Sequence, residues 1–187
     1  GSQALAAYHI AVQIASLAYM VPMGVGFAVA IRVGHAHSRG EAQTVRKIVY
    51  GALLFLGMLG VCVGATMALA RWQLPLFFSQ DPMVIALASG FLAFAALFQV
   101  FDHLQVCAMS ILRGLGDVRW PTAITLFGYW IVGLPVGSWL ALRTPLAGNG
   151  IWIGLVLGLF LAALLLNLRV WRRLRKGTLL PSGKKFS

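Results

Sequence analysis

Apolar positions in this chain neither alternate along strands nor recur only once per helical turn. They fill whole stretches of helix length, at residues 4–31, 48–70, 83–112, 121–142 and 151–171. A hydrocarbon layer about 30 Å thick takes roughly 20 helical residues to cross, and each stretch is long enough. In lipid every backbone N–H and C=O must be satisfied within the structure, which an α-helix does within a single segment. No period-2 alternation of the barrel kind is present. The pattern predicts an all-α, polytopic membrane helix bundle of five transmembrane helices over residues 1–172, followed by a basic cytoplasmic tail at 173–187.

The interruptions carry helix chemistry. Asp81 before Pro82 predicts an N-cap with proline in the first turn, where its lacking N–H costs nothing. Trp120-Pro121 predicts another start, and Gly148-Asn149-Gly150 a turn before the last span. Pro22 and Pro135 fall too deep for N-terminal positions and are expected to kink or locally open their helices. Gly60 with Gly64, Gly133 with Gly137, and Gly150 with Gly154 and Gly158 repeat a small-xxx-small spacing suited to close helix contacts. Packing within one subunit is the simpler use of these glycines, and a dimer seam the other.

Composition sharpens the class. Of 187 residues 60% are hydrophobic and 10% charged, against roughly 25% charged in a soluble domain, so a soluble enzyme or binding module is excluded. The net charge of +11 is distributed by topology. Arg71 and Arg143 fall in one set of loops, and the other thirteen Lys and Arg fall in the alternate loops and the tail. By the positive-inside rule the C-terminus is cytoplasmic, which with five spans puts the start of the chain outside. The chain opens Gly-Ser-Gln-Ala without a Met, so further sequence is expected upstream. Cys62 and Cys107 both sit in apolar runs and make no disulfide framework. The tail from Arg169 to Lys185 suits anionic lipid headgroups, and no nucleic-acid partner is expected.

The sharpest chemical signal is Asp102, deep in the third span, where an ionised acid costs at least about 2.5–3.5 kcal/mol. Gln99 and Gln105 flank it at i−3 and i+3 and make a polar arc. Such an acid facing a cavity suits binding Na⁺ or exchanging a proton; facing protein, it is a neutral, hydrogen-bonded pin. His103 points about 100° away and reads as a packing residue. On the first span His9, Gln13, Ser16 and Met20 share a stripe, with Tyr19 beside them. They form either a ligand-cavity wall, where an aromatic ring can hold a cation, or interhelical hydrogen bonds. His35 and His37 lack companions for a metal site. Gly114-Leu115-Gly116-Asp117 matches the Gly-x-Gly-Asp of intramembrane aspartyl proteases. A dyad needs two facing carboxylates, yet Asp102 lies about 22 Å from Asp117 along a helix axis. The glycines read instead as a helix end, and no enzyme activity is expected.

Two runs carry a family resemblance. Tyr8-His-Ile-Ala-Val-Gln-Ile-Ala-Ser-Leu-Ala-Tyr-Met-Val-Pro-Met-Gly-Val-Gly resembles the eighth helix of NorM-type multidrug and toxic compound extrusion (MATE) transporters. Phe98-Gln-Val-Phe-Asp-His-Leu-Gln-Val with Ile111-Leu-Arg-Gly-Leu-Gly-Asp is similar to their tenth helix and following loop, and Tyr129-Trp-Ile-Val-Gly-Leu-Pro to the eleventh. The resemblance implies an incomplete C-terminal lobe, helices eight to twelve of twelve, lacking helix seven and the N-terminal lobe. It also implies antiport of Na⁺ or H⁺ against cationic or amphipathic drugs across the bacterial inner membrane, with no other cofactor. By position Asp102 and Tyr19 would serve cation or proton coupling, His9, Gln13, Gln99 and Gln105 the substrate cavity, and Pro22 and Pro135 the hinges. His9 falls where relatives more often carry Gln. The alternatives are a lipid-linked oligosaccharide flippase of related architecture, which would need basic residues inside the spans, and a truncated chain that does not transport.

Overall fold

The computed structural model describes residues 1–144 and 148–175. Six helices account for the five spans: α1 (Ser2–Ser38), α2 (Ala42–Leu69), α3 (Pro82–Gly114), α4 (Arg119–Leu126), α5 (Leu134–Arg143) and α6 (Gly148–Arg175). A short 3₁₀ turn at Leu74–Phe77 precedes α3, and a π-helical segment at Phe127–Gly133 joins α4 to α5 into one span. All five spans are long and apolar enough to cross a membrane. α1, with 37 residues, is about 55 Å long at 1.5 Å per residue, so it projects well beyond the hydrocarbon layer. Of the expected tail at 173–187, residues 173–175 continue α6, and the rest lies outside the described residues.

Local chemistry sets the ends. Asp81 caps α3 by accepting the Met83 N–H at 2.9 Å, and Gln3 Nε2 donates to its other carboxylate oxygen at 3.1 Å. That second bond ties the start of α1 to the start of α3. α1 and α3 also end alike. Gly40 (φ 71°) and Gly116 (φ 75°) each adopt a left-handed conformation. Their N–H groups reach His37 O and Arg113 O, and the next residues, Glu41 and Asp117, reach Ala36 O and Leu112 O. This is the double-bonded glycine termination of a helix. The Gly-x-Gly-Asp run is therefore a C-cap.

The two prolines behave differently. α1 runs without interruption through Pro22, although the Ala18 carbonyl has no N–H to receive at that position. Around Pro135 the helix widens: the Leu134 N–H bonds Tyr129 O, five residues back, at the end of the π segment. A wider turn there relieves the clash between the proline ring and the carbonyl four residues before it. Gly148 and Asn149, expected in a turn, already belong to α6. Apolar residues follow from Ile151 without interruption, and the helix extends back over both positions.

α3 is the central element, in contact with α1, α2 and α6. Facing residues give the directions. Gly26 meets Ser110, and Gly34 meets Gly114, so α1 and α3 are parallel. Gly60 meets His103 and Gly64 meets Ala96, so α2 runs antiparallel to them. Gly128, Gly133 and Gly137 of the fourth span face Gly158, Gly154 and Gly150–Ile151 of α6, backbone against backbone. The small-xxx-small stripes are thus used inside one chain, between neighbouring helices.

The connection from α3 to α4 is held by ion pairs to α6. Asp117 is buried, 6% exposed. Its Oδ2 accepts from Arg169 Nε at 2.8 Å and from Arg173 Nη2 at 2.9 Å, with Arg169 Nη2 2.7 Å away. Arg169 in turn lies over the Trp120 ring, 5.2 Å from its centre. Two of the arginines assigned to a headgroup-binding tail therefore fasten α6 to the α3–α4 corner. The reason is spacing: residues 169 and 173 sit one turn apart on a helix that continues to Arg175, and a C-cap has turned Asp117 inward. Asp117→Asn is expected to lower stability by roughly 1–3 kcal/mol, below the cost of a fully buried pair because both guanidinium groups are partly exposed. A melting curve in detergent reads this directly, and an unchanged midpoint would deny the corner any structural role.

Candidate functional site

The site is built on the parallel trio α1, α3 and α6. Between them lies a cavity of about 270 Å³, walled by Tyr8, Ser16 and Tyr19 from α1, Phe98 and Asp102 from α3, and Trp152 from α6. Its upper wall is an aromatic cluster. Tyr8 and Trp152 have ring centres 5.8 Å apart, and Trp152 stacks on Phe91 at 6.0 Å with planes 24° apart. This cluster exists because Tyr8, Val12, Ala15 and Tyr19 recur at helical spacing and turn one face of α1 toward α3.

Among the described residues Asp102 supplies the only carboxylate of this cavity. It is 7% exposed, and among the described residues it forms no hydrogen bond or ion pair. Two phenols stand within electrostatic reach, Tyr19 of α1 and Tyr129 of the π segment. The Tyr129 hydroxyl donates to Gln105 Oε1 at 3.4 Å. The π turn before Pro135 therefore has a consequence at the site, since it carries the phenol that meets the polar arc of α3.

That arc divides into three directions. Asp102 faces the cavity. Gln105 faces Tyr129 and does not line the cavity. Gln99 lines the cavity and sends its amide to Met67 Sδ of α2 at 3.7 Å, while its Oε1 is buried without a partner. His103 packs against Gly60, as its position 100° away implied. Its Nδ1 lies 2.7 Å from Gln99 O, and since a carbonyl only accepts, Nδ1 carries the hydrogen.

On α1 the expected stripe is one residue out of register with the cavity. Ser16 and Tyr19 line it, but His9, Gln13 and Met20 lie on the exposed side of the helix. A one-residue step rotates a helical position by 100°, so the polar stripe and the aromatic stripe look in different directions. Tyr8, Phe98 and Trp152, the bulk of the wall, were not singled out from the sequence. The recurrence of Tyr8 and Tyr19 at three helical turns was the signal for them. Tyr19 also borders a second hollow of about 160 Å³, with Met23, Phe27, Ser110 and Arg113. It therefore stands between the two.

The chemistry follows from the walls. Among the described residues no Lys or Arg lines the cavity, and no three His, Cys, Asp or Glu groups gather to hold a metal ion. One carboxylate set among aromatic rings attracts a cation, by charge at one end and by ring faces at the other. It can equally hold a proton.

An all-helical, multi-pass membrane bundle with an acid facing a cavity between its helices is the class that these features define. Comparison with known proteins gives the family. The chain belongs to the MatE family, whose model matches residues 1–139. It is 41% identical over 181 residues to the probable multidrug resistance protein NorM of Brucella suis, covering 92% of this chain and 38% of that protein. Over 178 residues it is 41% identical to the multidrug resistance protein PmpM of Pseudomonas aeruginosa, covering 92% and 37%. The crystal structure of the eukaryotic MATE transporter AtDTX14 superposes with a TM-score of 0.86 at 26% identity, over 95% of this chain and 41% of that one. The chain thus spans about two fifths of the length of the curated relatives it matches.

Proposed function

We propose that this chain forms the ion-coupling part of a multidrug efflux antiporter of the bacterial inner membrane. The drugs are cationic or amphipathic and the coupling ion is Na⁺ or H⁺. The single observation that carries this reading is Asp102, unpaired by any described protein group and open to an aromatic-walled cavity. A cation or proton on Asp102 favours one arrangement of the helices and the drug favours the other. Differential affinity of that kind is all that coupling by alternating access requires. Tyr19 shares the cavity wall with the carboxylate, and Tyr129 bonds Gln105 one turn further along α3. Pro22 and the widened turn before Pro135 provide backbone that can change shape. A cavity free of basic residues suits a cationic ligand and disfavours a pyrophosphate-linked lipid. The thirteen-to-two division of basic residues supports a cytoplasmic C-terminus.

The test is competition. Tetraphenylphosphonium should quench tryptophan fluorescence of the natively encoded polypeptide in detergent, with Trp152 in the cavity wall. Either Na⁺ or acidification should displace it. Binding indifferent to both would remove the shared carboxylate from the reading.

A further inference from the structure

A second groove, away from Asp102, lies between α1 and α2. Its deep part, about 380 Å³, is walled by Val25, Val29, Ala52 and Phe55, with Arg32 and Lys47 at its upper edge. A second hollow of about 250 Å³, which shares Arg32 and Ile48 with it, is lined near the helix ends by His35 and Arg39. Arg32 belongs to both hollows, so the groove is apolar below this residue and cationic at and above it.

Three features separate this groove from an ordinary gap between helices. The first is charge. Among the described residues Arg32, Arg39 and Lys47 form no ion pair, while Arg169 and Arg173 have theirs with Asp117. Among the described residues Glu41 is the one carboxylate lining either hollow, against Arg32, Arg39 and Lys47. The second is the floor. A Cβ on Gly51 would meet no atom within 4 Å, so no contact in this fold calls for glycine there. In a helix interior glycine is nevertheless costly relative to alanine. Its effect is to keep the groove open between Val29 and Phe55. The third is depth. Arg32 lies six residues before the end of α1, and Lys47 five after the start of α2. Long basic side chains at that level reach the headgroup layer while their stems stay in the apolar region.

We propose that the α1–α2 groove binds one anionic phospholipid. Its phosphate sits on Arg32 and Lys47, and one acyl chain lies over Gly51 between Val29 and Phe55. Basic pockets between membrane helices on the positively charged side are suited to such headgroups. The apolar groove beneath supplies what a free phosphate cannot use. Two of the arginines of α6 already share Asp117, whereas the cations of the α1–α2 corner have no carboxylate bound to them among the described residues.

The natively encoded polypeptide, purified and washed in detergent, is examined by native mass spectrometry after exposure to phosphatidylglycerol, phosphatidylcholine or inorganic phosphate. One phosphatidylglycerol per protein is expected to be retained, and phosphatidylcholine to be lost. Arg32→Gln with Lys47→Gln is expected to weaken retention about thirtyfold, the usual contribution of two charges near a lipid surface. Gly51→Leu leaves every charge in place and fills the groove, and is expected to displace the lipid as well. Equal retention of phosphatidylglycerol by wild type and the double variant would overturn the proposal. So would undiminished retention by Gly51→Leu, or retention of phosphate alone as strongly as the lipid. The Gly51→Leu arm decides the matter if the double variant does not fold.

Discussion

On the proposed antiport, Asp102→Asn in the full-length, natively encoded polypeptide is expected to reduce drug efflux to the background of cells lacking it, with expression and membrane insertion unchanged. Asparagine has nearly the same shape and keeps the polar surface of α3, but it carries neither charge nor exchangeable proton. At a separation of about 5 Å and an effective dielectric near 20, a carboxylate and a bound cation attract by about 3 kcal/mol. Loss of that attraction weakens cation binding about a hundredfold and removes the competition between ion and drug. The helix itself should be unharmed, because an amide at this position needs less desolvation than a carboxylate. Efflux is measured as ethidium loss from loaded cells, and insertion by the yield and melting midpoint of the purified variant. Efflux at the wild-type rate would take Asp102 out of the mechanism, whatever the geometry suggests.

The second large effect concerns folding. Gly154→Leu is expected to cost about 3 kcal/mol or more and to leave little monodisperse protein. A Cβ at Gly154 would overlap the backbone of Gly137 and come within 2.5 Å of Gly133 O. These are backbone atoms and cannot rotate away, so the α5 and α6 helices must separate. Overpacking usually costs 1–3 kcal/mol when side chains can adjust, and here they cannot. Gly90→Ala is the control, since a Cβ there meets nothing within 4 Å; it should be neutral or gain up to about 1 kcal/mol from better helix propensity. The two variants compared by size-exclusion profile and thermal midpoint separate close helix contact from a general intolerance of glycine replacement. Equal behaviour would show that the glycine stripe is not a contact surface.

The same stripe shows how far reading residues in order can go. The spacing of Gly150, Gly154 and Gly158 announced a close helix contact, yet the partner face on Gly128, Gly133 and Gly137 could not be chosen from spacing. Gly60 and Gly64 offered the same pattern and pack on α3 instead. Asp117 makes the point for charge. In sequence it stands between Arg113 and Arg119, but its ion pairs come from Arg169 and Arg173, 52 and 56 residues away. The cavity makes it for function: Asp102 was identified from its cost in lipid, whereas the residues of α1 that wall this cavity stand one residue out of register with the polar stripe.

The order of amino acids by itself determined the class, the five spans, the cap at Asp81, the glycine ending at Gly116 and the singular acid. Each of these rests on energies that act within a segment or against lipid: hydrophobic length, backbone hydrogen bonding, local φ and desolvation. Only the tertiary structure decided which face of α1 meets α3. It alone brought Tyr8, Tyr19, Phe98 and Trp152 around Asp102, turned Tyr129 to Gln105 through a π turn, and left a charged groove beside Gly51. Those outcomes depend on rotations of about 100° and on helices distant in sequence, and lipid-facing and cavity-facing apolar residues look alike until the helices are packed.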